Sequence, residues 1–365
     1  MRRFLATTIF FMMLVCTSCQ AKTDVVTKET ETNQSWSEAA ESAGKSEIGK
    51  TEKEGVEAGE LQVHFIDVGQ GDATLIICDG HAMLFDAGEN DTGVLVQFYL
   101  MEQGIDKLDY VIGSHPESDH IGGMDVILLK YDCDQVMLPD VEVDTTTYRD
   151  VLEAMEYKNY ENTLPEVGET YQLGSASFTI IAPNHNDYGD NVNNYSIGIK
   201  LVHGDNIFIF TGDAETEAEE DILSNGISID GDVLKVGHHG SHDSSSQEFI
   251  DAVSPEYAVI SCGRENDYGH PHEETLDTLQ AAGAEIFRTD EQGNIVAISD
   301  GKDIIWELGT EKSWQGVYYV GNKKNGKLHV STCTSLPKEW NQVIFSTKEE
   351  GMSAGFSDLC SGCKP

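Results

Sequence analysis

Positive charge is scarce in this chain. Its 365 residues hold 23 Lys and Arg against 64 Asp and Glu, a formal net charge of −41. Nonspecific binding of nucleic acid normally rests on Lys and Arg contacts to phosphates, so a field of this sign opposes a purely electrostatic grip on a polyanion. The deficit is uneven. Between Leu61 and Thr310 there are nine cations, Lys107, Lys130, Arg149, Lys158, Lys200, Lys235, Arg264, Arg288 and Lys302, whereas from Glu311 onward seven lysines face five acids. Apolar length is also short: the run Phe4 to Val15 falls below the ~20 residues that a comfortable membrane span needs. Of the eight cysteines, Cys78, Cys133 and Cys262 each stand in an apolar or strand-like context, as small core residues rather than catalytic ones.

What is there begins with Arg2-Arg3, the apolar run, and Cys16-Thr17-Ser18-Cys19. A basic start, a short apolar core and small residues before a cysteine describe a secretory signal over residues 1–19. The pattern resembles a bacterial lipoprotein signal with Cys19 as the lipidated residue, although Cys16 stands where Leu is usual. An uncleaved anchor helix is the other reading. Both place the body outside the cytoplasm, tethered to a membrane. Residues 20–60 are rich in Thr, Ser, Glu, Lys, Gly and Ala and cannot bury enough surface to offset the entropy of ordering, so they read as a flexible linker.

The folded part, 61–310, is organised around Ser114-His115-Pro116-Glu117-Ser118-Asp119-His120-Ile121-Gly122-Gly123. A buried strand, Leu108 to Gly113, ends here in crowded imidazoles and carboxylates, which would be poorly solvated unless a divalent cation coordinates them. Earlier, Leu61 to Ile77 reads as two β segments around a glycine turn and Met83 to Gly88 as a third strand, placing Asp67 and Asp86 at strand ends. Val94 to Gln103 reads as a helix. Later, Asn206 to Phe210 delivers Thr211-Gly212-Asp213, and Val233 to Val236 delivers Gly237-His238-His239-Gly240. Strands and helices alternate throughout, which points to a layered α/β domain.

The ordered stretches DVGQGDA, SHPESDHIGG, Asn193-Asn194-Tyr195-Ser196, FTGDAE, LKVGHHGS and GHPHEETL resemble the metallo-β-lactamase superfamily, in the branch that holds the ComEC competence proteins. The resemblance implies an αββα sandwich with two divalent metal ions, Zn or Mn, at one edge. It assigns His115 to the first metal, Asp119, His120 and His239 to the second, and Asp213 as the bridge, so that Asp119, His120 and Asp213 carry the catalysis. Asp67 and Asp86 become supports, and Asn194, His238, His270 and His272 contact substrate. Glu117 stands where most members have a histidine; a harder oxygen ligand there weakens Zn²⁺ binding and favours Mn²⁺ or Fe²⁺. Metal-activated water of this kind hydrolyses phosphodiesters, esters, lactams or thioesters, so the fold alone does not select a substrate.

The tail, 316–365, carries His329-x₃-Cys333 and Cys360-x₂-Cys363, spacing typical of a structural zinc site. About fifty residues cannot build a stable core unaided, and such a site supplies about 10–16 kcal/mol of apparent binding energy. This α+β module resembles the zinc-binding domain of the Ada DNA-repair protein, with His329 where that family has a cysteine. A Cys360–Cys363 disulfide is the alternative. Three functions compete: an extracellular metal-dependent phosphodiesterase acting on DNA or nucleotides, a phosphodiesterase for a phosphocholine-type headgroup, and a catalytically weakened surface-binding protein.

Overall fold

The computed structural model describes residues 59–309 and 318–363, apart from residues 332, 334, 339, 340 and 346 and the side chain of 358. The expected signal, Cys19 and nearly all of the linker lie outside the described residues. No helix among the described residues is long and apolar enough to cross a membrane.

Continuous apolar runs make the central strands. β2 (Ala73–Cys78) is buried at every position and β3 (His81–Ala87) at all but its first, the pattern of strands covered on both faces. With β1 (Leu61–Phe65), β4 (Lys107–Ile112), β5 (Asp132–Met137), β13 (Ile295–Ser299) and β14 (Ile304–Leu308) they form a seven-stranded sheet in the order β14-β13-β1-β2-β3-β4-β5. A second seven-stranded sheet contains β6 (Thr170–Leu173), β7 (Ala176–Ala182), β8 (Gly198–His203), β9 (Asn206–Phe210), β10 (Val233–Lys235), β11 (Tyr257–Ile260) and β12 (Glu285–Arg288), in the order β12-β11-β10-β9-β8-β7-β6. β3, β4 and β5 run parallel, as do β9 to β12. The register Leu61↔Ser299 joins the first strand antiparallel to one of the last.

The inner faces of the two sheets meet in one core. Phe210 of β9 lies 6.2 Å from Phe65 of β1 and 5.7 Å from Phe85 of β3; truncating so buried a ring to Ala costs about 3–5 kcal/mol. Helices Gly93–Glu102, Met124–Lys130 and Thr146–Lys158 cover the outer face of the first sheet. Helices Thr216–Ser224, Gln247–Val253 and Glu273–Ala282 cover that of the second. The result is the four-layer helix-sheet-sheet-helix arrangement expected from the motifs.

The tail forms a four-stranded sheet from β15 (Tyr319–Asn322), β16 (Lys327–Val330), β17 (Gln342–Phe345) and β18 (Ser357–Leu359), in the order β17-β15-β16-β18. Its helix Lys348–Ser353 opens with a reciprocal capping box between Thr347 and Glu350. Although set apart in the sequence, the tail is fastened to the first sheet's helical face. Val320 and Ile344 pack with Val94, Phe98 and Val126, Tyr318 stacks on Phe98 at 6.0 Å, and the Lys130 ammonium donates to the Gln342 carbonyl.

Candidate metal centre

Five strand ends converge at one edge of the sandwich. β3 ends beside Asp86, β4 leads into residues 113–121, β9 into Asp213, β10 into the histidine turn 237–240, and β11 into Ser261. Parallel strands commonly present ligand sites at their carboxyl ends. Close backbone approach makes the convergence achievable: a Cβ on Gly122 would lie 2.3 Å from Asn90 N, and one on Gly123 2.3 Å from Ala87 O. Gly212, at φ +54°, faces Ser114 so closely that a Cβ would lie 2.7 Å from the Ser114 Cβ. Any side chain there would push the Asp213 loop off the His115 loop.

The histidine tautomers are set from behind. His120 Nδ1 lies 2.9 Å from Asp86 Oδ2 and His239 Nδ1 lies 3.0 Å from the Ser261 carbonyl. An ionised carboxylate and a carbonyl only accept, so both rings donate through Nδ1 and turn their Nε2 atoms toward each other, 3.3 Å apart. Two lone pairs do not hold that approach without a proton or a metal ion between them. Asp119 Oδ2 lies 3.1 Å from His239 Nε2 and 4.0 Å from His120 Nε2. Asp213 places Oδ1 3.2 Å from His120 Nε2 and Oδ2 3.4 Å from His239 Nε2. Ligand atoms arranged tetrahedrally about an ion at ~2.0–2.1 Å stand roughly 3.3–3.4 Å apart, and these separations bracket that value.

Charge balance agrees with the geometry. Burial opposes ionisation of Asp119 and Asp213, yet the adjacent His120 and His239 hold both carboxyls well below the usual range. Burial likewise opposes charge on His120 and His239, yet Asp213 leads the surrounding carboxylates in pushing both imidazoles above their ordinary value. Without metal, the cluster therefore retains protons that a divalent cation would displace. The His115 ring lies 4.2 Å from that of His120, tilted by 53°, and its Nε2 is buried with no hydrogen-bond partner. Glu117 Oε2 lies 3.8 Å from that Nε2, with nearly half of its side chain exposed. These residues fit a cation site.

Other expected residues fall differently. Asp67 does not reach the cluster: its carboxylate accepts from Gly69 N at 3.2 Å, and its backbone N–H donates to Asn294. The supporting carboxylate is Asp72, five residues on. Asp72, His120, Asp213 and His239 are close enough to share one ion, but Asp72 meets His120 and His239 on their Nδ1 sides, 3.9 Å from each. It is also paired with the buried Lys235 ammonium at 2.8 Å. Asp72 therefore forms the floor beneath the histidines. Asn194 is spoken for as well, accepting from Glu215 N at 3.0 Å and donating to Glu217 at 3.3 Å, so its amide braces the start of helix Thr216–Ser224 and does not face a substrate. His238 Nε2 lies 3.8 Å from Asp213 Oδ2. His270 stands over His239, where burial and the neighbouring imidazoles lower its pKa to about 4. His272 is one step out, its Nδ1 2.8 Å from that of His242.

In the tail, His329 Nδ1 lies 3.4 Å from Cys333 Sγ, Cys333 Sγ 3.7 Å from Cys360 Sγ, and Cys360 Sγ 3.3 Å from Cys363 Sγ. The four side chains form one group compatible with a metal ion. All three cysteines are free thiols, which disfavours the disulfide alternative. Backbone N–H groups of Ser335 and Val330 point at the sulfurs of Cys333 and Cys363. Cys78, Cys133 and Cys262 are buried, and burial pushes the thiols of the latter two up to about 12.

Comparison with known proteins agrees with this architecture. A family profile described as the metallo-beta-lactamase superfamily matches residues 66–264. ComE operon protein 3 of Bacillus subtilis is 32% identical over 258 residues, covering 65% of this chain and 33% of the relative. Recombination protein 2 of Haemophilus influenzae is 34% identical over 239 residues, covering 64% and 28%. Competence protein ComA of Neisseria gonorrhoeae is 32% identical over 244 residues, covering 66% and 32%. The chain thus spans about a third of the length of these relatives. Because the profile match runs from just beyond β1 to just beyond β11 and takes in every strand end of the buried centre, this chain belongs to the metallo-β-lactamase superfamily of hydrolases, with homologues among the competence proteins.

Proposed function

We propose that this protein is a metal-dependent phosphodiesterase of nucleic-acid strands or nucleotides, working outside the cytoplasm and tethered to the membrane through Cys19. The observation that carries the hydrolase reading is the pair of Nε2 atoms on His120 and His239, set 3.3 Å apart with Asp213 against both. The relatives' names, which speak of competence and recombination, support a DNA-related substrate.

Asp119, His120, Asp213 and His239 would hold one cation, and His115, Glu117 and Asp213 the other. When bound, such cations supply Lewis acidity that ionises water near neutral pH and offsets charge on phosphoryl oxygens. The chain's own residues do the positioning. Asp86 fixes the His120 ring, and the Ser261 carbonyl fixes that of His239. Asp72 and Lys235 cancel each other's charge beneath both rings. His238 and His270 stand at the rim beside Asp213 and His239, placed to donate hydrogen bonds to substrate oxygens. Glu117 makes Mn²⁺ the better occupant of the first position. In the tail, His329, Cys333, Cys360 and Cys363 would hold a structural zinc ion.

The test uses the full chain loaded with Mn²⁺ or Zn²⁺. Asp119→Ala and His120→Ala are each expected to abolish hydrolysis of bis-p-nitrophenyl phosphate while the circular dichroism spectrum is retained; unchanged turnover in both rejects the site. The acidic surface favours a second reading, a diester with a small cationic headgroup such as phosphocholine. Headgroup release without cleavage of single-stranded DNA would select it.

A further inference from the structure

A pile of rings leads out of the buried centre. His270 lies near-parallel to His239, at 6.2 Å and 27°, and Tyr268 lies near-parallel to His270, at 5.6 Å and 22°. These are offset-stacking distances. His239 is buried, but Tyr268 is 68% exposed, so the pile begins at a candidate metal ligand and ends in a flat aromatic face open to solvent.

The loop under that face is tied down. Asn266 Oδ1 accepts from the backbone N–H groups of Tyr268 and His270 at 3.2 and 3.0 Å. Its Nδ2 donates to the carbonyls of Gly263 and His270 at 2.8 and 2.6 Å. Gly263 N–H in turn donates to Gln70 Oε1 at 3.0 Å, which anchors the loop to the turn after β1. An aromatic ring held this way loses little conformational freedom when something stacks on it.

Resting on the phosphodiesterase reading above, we propose that Tyr268 determines specificity by stacking on the nucleobase next to the scissile phosphate, which selects single-stranded nucleic acid or nucleotides. A chain of net charge −41 has few cations with which to hold a phosphate backbone. Base stacking does not depend on that charge, tolerates any sequence, and requires bases that are not already paired. A single open face suits a planar ring; a quaternary ammonium group, held by cation–π attraction, is the competing occupant.

The experiment compares three substrates on the full, Mn²⁺-loaded chain: a single-stranded oligonucleotide, the same strand with an abasic tract, and glycerophosphocholine. Tyr268→Ala is expected to raise KM for the base-bearing strand by roughly 5- to 150-fold, the equivalent of one stacked base, with little change in kcat. KM for the abasic strand stays as in wild type, and Tyr268→Trp restores the base-bearing value. A 2-aminopurine beside the cleavage site is quenched on binding to wild type and stays bright with Tyr268→Ala. An equal effect on both strands, or on neither, overturns the stacking proposal. So does a loss confined to glycerophosphocholine, which would assign the face to a cation. Wild-type protein that cleaves none of the three refutes the phosphodiesterase reading instead.

Discussion

Lys235→Met offers the sharpest test of the ground on which the centre stands. Lys235 is 4% exposed, and its ammonium lies 2.8 Å from Asp72 Oδ2 and 3.0 Å from the Val236 carbonyl. Asp72 is 3% exposed, and its other oxygen has no partner. The substitution keeps an apolar stem of similar length and leaves a buried carboxylate whose nearest cationic groups are His120 and His239, 3.9 Å away on their Nδ1 sides. Those ring protons already point at Asp86 and Ser261. Removing one member of a buried pair costs about 3–5 kcal/mol, and at roughly 2–4 °C per kcal/mol for a domain of this size the melting temperature falls by about 6–20 °C. Adding Asp72→Asn removes the stranded charge and recovers most of the loss.

The sign of the pH dependence follows. Burial pulls the Asp72 pKa upward, but Lys235, helped by His239 and His120, holds it below the ordinary carboxyl value. In wild type this stability is present above ~3.9 and lost as pH falls through the lowered folded value. Without Lys235 the pull of burial weighs more heavily, so the variant's deficit narrows as pH falls from 7 to 5. Thermal unfolding in EDTA, followed by circular dichroism, measures all three proteins. A single variant within 1 kcal/mol of wild type, or a double variant no better than the single, would falsify the account.

Asp86→Asn keeps the shape but removes the charge that accepts from Ser114 N, Ser114 Oγ and His120 Nδ1 at 2.7, 2.8 and 2.9 Å. Metal affinity in a chelator competition is expected to drop about 10- to 100-fold, and an unchanged affinity counts against this role. Glu219 is buried, accepts from the backbone N–H groups of Ser245 and Ser246, and is held above the usual 4.5 by burial. Wild type should therefore lose stability as pH rises from 4.5 through the raised folded value, and Glu219→Gln should flatten that slope in urea titrations. Cys360→Ser should release one zinc equivalent per chain while bis-p-nitrophenyl phosphate turnover persists; retention of all metal by mass spectrometry contradicts the tail site.

The four layers were legible because their central strands are apolar runs and their turns carry glycines, and the turn with His238 and His239 was legible because two imidazoles follow one such run. The supporting carboxylate was not. Asp67 and Asp72 flank the same glycine turn, and which of them faces inward depends on a lysine 163 residues away. A signal was present: Lys235 ends an otherwise apolar, fully buried strand, and a buried ammonium demands a buried acid. Asn194 misled for a related reason, since an amide near a site serves a helix start as readily as a substrate. Tyr268 carried no mark in the sequence, because the pile of rings exists only once the loop that holds Tyr268 and His270 meets the turn that holds His239.

The docking of the tail on helices Gly93–Glu102 and Met124–Lys130 sets a practical boundary. Cutting the chain after residue 309 would uncover Val94, Phe98 and Val126 together, giving the isolated catalytic half an oily stripe on its outer surface. Such a fragment would self-associate, and the turnover it lost would be misread as damage to the metal ligands.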